Sequence, residues 1–399
     1  MRRGLNWSCV CLRAAEIAAR SVFGVMIWLM LAGSLLAQDS GLAFRRAEHL
    51  RHGINLSHWY AQVFDPKGYT KEHFDSYDTA LDMALIKAMG FDHVRFTLNC
   101  EPMFRRGQAD RIPPEYLAMV DAAVKMILDQ GLAVIIDIHP ESDFKAKLVT
   151  DDAAVEQFED FWRALARHYA TLAPEGVFFE VLNEPEFRDR YRWAGVQARL
   201  ARAIREGAPQ NTIIVAGANW SAISELLFLE PLRDGNVIYN FHFYEPHIFT
   251  HQGATWSTNF QHYLSKLPYP STPENVATAV AQAPDAVNQQ AIVHYGLDRW
   301  NAGRVAAEIA VAAAWGKQWN VPLTCNEFGV YRAAATAEDR AAWIRDVRTA
   351  LEKNGIGWTM WDYAGGFSVV TRENGVSTPD AITLRALGMT VSPSVAARP

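Results

Sequence analysis

The chain is poor in cysteine, with four in 399 residues, and Cys9 and Cys11 stand at its extreme N-terminus. Cys100 and Cys325 remain, too few for a disulfide scaffold and without the spacing of a zinc site. Two buried thiols are the expectation, with a bridge between them left open for an oxidising compartment. Positive charge is not in excess either: 38 Lys and Arg face 44 Asp and Glu, for a net charge of -6. There is no zinc-finger, RNP or lysine-rich segment to neutralise phosphates, so no nucleic acid partner is expected. Beyond residue 37 the sequence also lacks long apolar runs, proline-rich linkers, low-complexity tracts and repeats, which leaves no sign of a second domain. Half the residues are nonetheless apolar, enough for a sizeable core.

Residues 1–37 read as a secretory signal peptide. Arg2, Arg3, Arg13 and Arg20 precede an apolar run from Val22 to Ala37, with cleavage expected near Ala37. That run is shorter than the roughly 20 residues of a spanning helix, which favours a secreted or periplasmic protein without stable membrane association over an uncleaved anchor. Residues 38–390 then form one domain, and 391–399 a flexible tail.

From His52 onward, short apolar runs alternate with longer amphipathic stretches, the pattern of a parallel sheet with crossover helices. The strand candidates are Gly53 to Leu56, His93 to Leu98, Ala133 to Ile138, Val177 to Leu182, Thr212 to Ala216, Val237 to Phe243, Pro322 to Asn326 and Gly357 to Trp361. Eight strands are what a (β/α)8 TIM barrel needs, and several end in polar residues that such a barrel gathers on one face. One connection, 245–300, is too long for a crossover. Its aromatic density predicts a folded insertion after strand six that walls this face.

Two strand ends carry the most information. Phe178 to Pro185 is an apolar strand that delivers Asn183-Glu184 and stops at proline, which should hold Glu184 extended. The run 321–329 delivers Glu327 in the same way. Carboxylates buried at strand ends are costly unless paired or protonated, so two facing one cavity point to acid–base chemistry. Glycosidic cleavage needs a proton for the leaving oxygen and a group for the anomeric carbon, and two carboxyl groups supply both.

At this level the chain resembles glycoside hydrolase family 5, the cellulase-type family of the retaining clan, from about His52 to Phe367. The resemblance rests on ordered motifs: Arg95 on strand two, His139 after strand three, Asn183 and Glu184 after strand four, His242 and Tyr244 on strand six, Glu327 on strand seven and Trp361 on strand eight. It implies Glu184 as general acid/base and Glu327 as nucleophile, with no metal or cofactor. It further implies that Arg95 and Tyr244 orient Glu327, that His139, His242 and Asn183 bind the sugar, and that Trp361 stacks on it. Trp59, Trp220, Trp256 and Trp300 are candidate platforms for further sugar units, and Asn55 and His58 lie on the same face. A β-linked glucan is the implied substrate, most often for an endo-β-1,4-glucanase. β-Mannan, β-1,3- or β-1,6-glucan and exo action on the same site are the alternatives. Two remoter readings are a metal-dependent barrel hydrolase, against which no closely spaced histidine pair on one element is seen, and a non-catalytic carbohydrate-binding barrel, which both glutamates oppose.

Overall fold

Eight strands pair in parallel and in sequence order, and the last returns to the first. They are β1 (His52–Tyr60), β2 (His93–Leu98), β3 (Ala133–Ile138), β4 (Val177–Glu180), β5 (Thr212–Ala216), β6 (Val237–Phe243), β7 (Leu323–Phe328) and β8 (Gly357–Met360). The computed structural model describes residues 41–104, 108, 110–256 and 260–390; the signal-peptide and tail readings lie outside them. Closure comes from pairing of His52, Gly53 and Ile54 with Trp358, Thr359 and Met360. A glycine opens β8 because a Cβ on Gly357 would stand 1.9 Å from the carbonyl oxygen of Leu50.

The eight expected strands are all present, with ends adjusted by a few residues. β4 stops at Glu180 rather than Leu182, since the chain turns before the Asn-Glu-Pro segment. Helices cover the outside of the sheet, among them Pro114–Leu128, Asp152–Tyr169, Arg190–Gly207, Ala302–Trp319 and Ala337–Lys353. Several start on side-chain caps: Asp151, Asp189, Asn301 and Thr336 each accept from backbone N–H groups of the first turn.

Covered outside and filled inside, the strands are buried on both faces, but what they bury inside changes with height. Along the inward positions of β6 run Ile238, Asn240 and His242, and along those of β3 run Ala133, Ile135 and Asp137, followed by His139 just past the strand. The floor is a small apolar cluster of Leu50, Ala133, Ile135, Phe178, Ile214 and Ile238. Above it the inward residues are mainly polar, among them Asn55, Arg95, Asp137, Glu180, Asn240 and Asn326.

The long connection after β6 is folded, as its aromatics suggested. It contains the helices His247–Thr250, Ala277–Gln282 and Ala286–Asp298. It is bonded to the segment after β7, through Tyr331 N to Thr250 O at 2.8 Å and Lys266 N to Ala334 O at 2.8 Å. Cys100 and Cys325 are both buried and unbridged.

Candidate active site

The centre of the polar layer is Arg95, which has no exposed surface. Its Nε and Nη2 grip Glu180 at 2.9 and 2.8 Å, and Nη2 also meets Asn183 Oδ1 at 2.9 Å and Asp137 Oδ2 at 3.0 Å. Nη1 donates to Asn55 Oδ1 at 2.9 Å and to Glu327 Oε1 at 2.6 Å. The other oxygen of Glu327 accepts from the Tyr244 hydroxyl at 3.0 Å.

Glu327 reaches this position through an irregularity in β7. Phe241 pairs with Cys325 and Phe243 with Phe328, and Cys325 and Phe328 pair with Trp358 and Met360, so β7 carries one residue more than either neighbour over this stretch. Such a bulge breaks the strict alternation of side chains. Two consecutive residues therefore face inward: Asn326 donates to Glu180 Oε2 at 2.6 Å while Glu327 takes Arg95.

Glu184 approaches from the opposite side, with 25% of its side chain exposed. Its backbone is not extended, as the following proline led us to expect, but left-handed at φ 43. That geometry costs a non-glycine residue about 1–2 kcal/mol and persists only where the surroundings impose it. Here Asn183 N is bonded to Ile138 O at 2.8 Å, and His242 Nδ1 lies 3.0 Å from Glu184 Oε1. The same nitrogen lies 3.5 Å from Glu327 Oε2. Glu184, His242 and Glu327 offer ligand atoms all within 4.8 Å of one another. A cation held there would sit against the Arg95 guanidinium that already occupies Glu327, so the donor set fits a carboxylate pair better than a metal.

Desolvation dominates the charge states. Burial pushes His242 down to about 4 and His139 well below the usual range, so both rings are neutral. Burial lifts the carboxyl of Glu184 against the pull of Lys145, and lifts that of Glu327 to about 7 against His242 and Arg95. Two such neighbours titrate as a pair and share one proton near neutrality. Hydrogen bonds decide where it rests. Glu327 accepts from a guanidinium and a phenol, donors that favour its ionised form, whereas Glu184 has only His242 and keeps the proton.

Most sequence-derived site residues converge here, with some changes of part. His139 does not offer a nitrogen to the pocket: Nδ1 donates to Asp137 Oδ2 at 2.9 Å and Nε2 accepts from the Asn183 amide at 3.0 Å. It therefore acts by holding Asn183. Its ring stacks on Trp361, centroids 5.7 Å apart. Asn55 is also fully used, since it receives Arg95 and donates to the carbonyls of Asn326 and Met360. His58 is half-buried, with Nδ1 3.0 Å from Gln62 O.

Two of the four tryptophan platforms are corrected. Trp59 is 1% exposed, its indole packed against Tyr60 and Phe96 with Nε1 donating to Phe74 O at 2.8 Å. Trp300 is 5% exposed, packed in the insertion under Arg304. Trp220 and Trp256 do present their faces, at 54% and 58% exposure. A close histidine pair also exists, contrary to expectation, in the insertion. His247 and His251 stack 3.7 Å apart, with their Nδ1 atoms beside Gln261 and Thr250.

Sequence reading missed Asp137, Glu180, Asn240 and Asn326, all of which touch the network. A signal was available: Asp137 stands two residues before His139 and Asn240 two before His242, which in a strand means the same face.

Two carboxyl groups with oxygens within 4.8 Å at the carboxyl mouth of a (β/α)8 barrel define a glycoside hydrolase of the retaining class. The comparisons with known proteins agree, and they identify the lineage. The family model "Cellulase (glycosyl hydrolase family 5)" matches residues 60–366, and the chain belongs to that family. It is 30% identical to Endoglucanase C of Acetivibrio thermocellus over 78% of this chain and 90% of that one. Among solved structures, Cel5A of Thermotoga maritima with cellobiose superposes with a TM-score of 0.71 at 25% identity, over 86% of this chain and 99% of that one. A further structure of that enzyme, with mannotriose, gives the same TM-score.

Proposed function

We propose that this enzyme cleaves a β-1,4-linked glucan internally by double displacement, with Glu327 as nucleophile and Glu184 as acid/base. The observation that carries the reading is the asymmetry of the pair. Arg95 and Tyr244 bond Glu327, while the more exposed Glu184 stands free to protonate a departing oxygen. Glu327 attacks the anomeric carbon and forms the glycosyl–enzyme bond as the proton of Glu184 passes to the leaving oxygen. Water then gives a proton back to Glu184 as its oxygen bonds to the anomeric carbon, and the ester bond to Glu327 breaks to release the free carboxylate. The free N–H of Asn183 suits the sugar 2-hydroxyl, and Trp361 suits its C–H face.

The endoglucanases and the cellobiose-bound enzyme among its relatives support a β-glucan substrate, and the mannotriose complex supports β-mannan as a second. Trp220 and Trp256 are the proposed platforms for outer sugar units. Trp220 lies within three consecutive left-handed residues, Asn219, Trp220 and Ser221, and its N–H reaches Pro185 O at 3.3 Å beside Glu184. Strain of this kind collects at ligand-binding positions. Trp256 stands on the insertion, in edge contact with Tyr331 at 4.9 Å, and Tyr331 adjoins Phe367 at 5.6 Å, next to Tyr244. The insertion thus forms one wall of the cleft. For location, we propose export directed by residues 1–37; no helix among the described residues is long and apolar enough to cross a membrane.

Incubation of the pure enzyme with β-1,4-glucan, β-1,3-glucan and β-mannan, followed by chromatography and anomeric NMR, tests this reading. Internal cleavage of β-1,4-glucan with the β-anomer formed first is the expected result. The α-anomer as first product would contradict the mechanism, and turnover of β-1,3-glucan alone would contradict the substrate.

The pH profile follows from the shared proton. The active form has one proton on the pair, so activity falls in acid as Glu327 gains a second and falls in alkali as Glu184 loses its own. Burial lifts the carboxyl of Glu184 above the usual range, so the alkaline limb should lie above that of an exposed glutamate. Glu184→Gln, assayed on an aryl glycoside whose leaving group needs no proton, should lose the alkaline limb and keep the acid one.

A further inference from the structure

Arg95 is shared by more than one anion, and the sharing is unequal. All of its N–H groups are engaged, and three carboxylates lie within 3.0 Å of it: Asp137, Glu180 and Glu327. One guanidinium cannot balance three charges in a dry layer. Asp137 has the weakest hold: it meets Arg95 through Nη2 alone, at 3.0 Å, and its Oδ1 is buried without a hydrogen-bond partner among the described residues. The shorter contacts, 2.8 Å to Glu180 and 2.6 Å to Glu327, divide most of Arg95 between those two.

Glu180 holds the larger share. Burial raises its carboxyl as well, but four donors oppose this: Arg95 Nε and Nη2, Asn326 Nδ2 at 2.6 Å and Asn240 Nδ2 at 3.3 Å. A two-point grip on the fork of the guanidinium is the strongest geometry available to it. It also fixes the plane of the group, so that Nη1 alone points to Glu327. We propose that Glu180 is a positioning residue for the nucleophile: by gripping the Nε–Nη2 edge of Arg95 it orients the guanidinium toward Glu327 while drawing off part of its charge, which keeps Glu327 basic enough to attack. An arginine free to pair with Glu327 alone would give a weaker nucleophile. The inference rests on the assignment of Glu327 proposed above.

The other titratable or charged groups around Arg95 and Glu327 are Asp137, Glu184, His139, His242, Tyr244 and, on the side of Glu184, Lys145. All are retained in Glu180→Gln, which keeps the shape but removes the charge and one of the two accepting oxygens that grip Arg95. In this variant Arg95 acts more fully on Glu327, and a like charge near Glu327 is gone; both effects lower its pKa. The acid limb of kcat/KM should move down by about one pH unit, with the alkaline limb moving less. A limb that stays in place in a folded, active variant overturns the proposal and leaves Glu180 a packing residue. The unmodified enzyme gives a second test, needed if Glu180→Gln does not fold. In a carboxyl ¹³C titration with labelled glutamate, assigned by the resonance missing from Glu327→Gln, Glu180 should remain ionised below the pH at which Glu327 takes up its proton. Protonation of Glu180 first overturns the proposal. Substantial activity in Glu327→Ala would strike instead at the mechanism on which it rests.

Discussion

Glu327→Ala should lower turnover of β-glucan on the order of 10⁴-fold or more, because no other described side chain lies where a nucleophile must stand. The variant should still fold, since truncation removes a carboxylate that costs desolvation and leaves Arg95 its two bonds to Glu180. Rescue by a small anion separates loss of the nucleophile from general damage. Azide can enter the space left by the side chain and attack the same face, so Glu327→Ala with an activated aryl β-glycoside should release the α-glycosyl azide. Glu184→Ala should give the β-glycosyl azide, because there azide attacks the glycosyl–enzyme bond from the opposite face. Reversed anomers would exchange the two roles, and wild-type turnover in either variant would remove that residue from the chemistry.

Arg95→Met is expected to be damaging for a different reason. It removes the cation from a buried layer that holds Asp137, Glu180 and Glu327, and breaking such a group by deleting one partner costs about 3–5 kcal/mol. Denaturant unfolding should show that loss even without substrate, which distinguishes Arg95 from Glu327. The sign of the pH dependence can be stated as well. Burial raises Asp137 to about 6 in the folded protein, above the roughly 4 of an unfolded chain, and raises Glu180 as well. Such groups contribute their stability fully below about 4, and for Asp137 the contribution is lost as pH rises through about 6. Without Arg95 the carboxyls must hold protons to remain buried, so the window extends upward. The difference between wild type and variant should therefore be larger at pH 8 than at pH 5.

Much of this was legible in the sequence, for a physical reason. A parallel barrel puts a run of apolar residues into each strand and its chemistry at the carboxyl end, so Glu184, Tyr244 and Glu327 stand where an apolar run stops. The residues that tune them were harder to see. Asp137, Glu180 and Asn240 sit inside runs that read as core, and only the period of two marks them as sharing a face with the residues above. The bulge in β7 has no sequence signature that we recognise. It nonetheless decides that Asn326 and Glu327 both face inward. The tryptophans show the opposite difficulty. Indole suits a core as well as a sugar platform, and only the packing at the end of β1 and in the insertion separates Trp59 and Trp300 from Trp220 and Trp256.

The most direct measurement is chemical trapping. A 2-deoxy-2-fluoro cellobioside with a good leaving group slows both steps but the second more, so the covalent intermediate accumulates and can be located by peptide mass mapping. One sugar attached per chain, through an ester on the Glu327 side chain, is the expected result. A label on any other residue, or rapid turnover to the α-anomer with no label, would mean that these two carboxyl groups do not perform a double displacement.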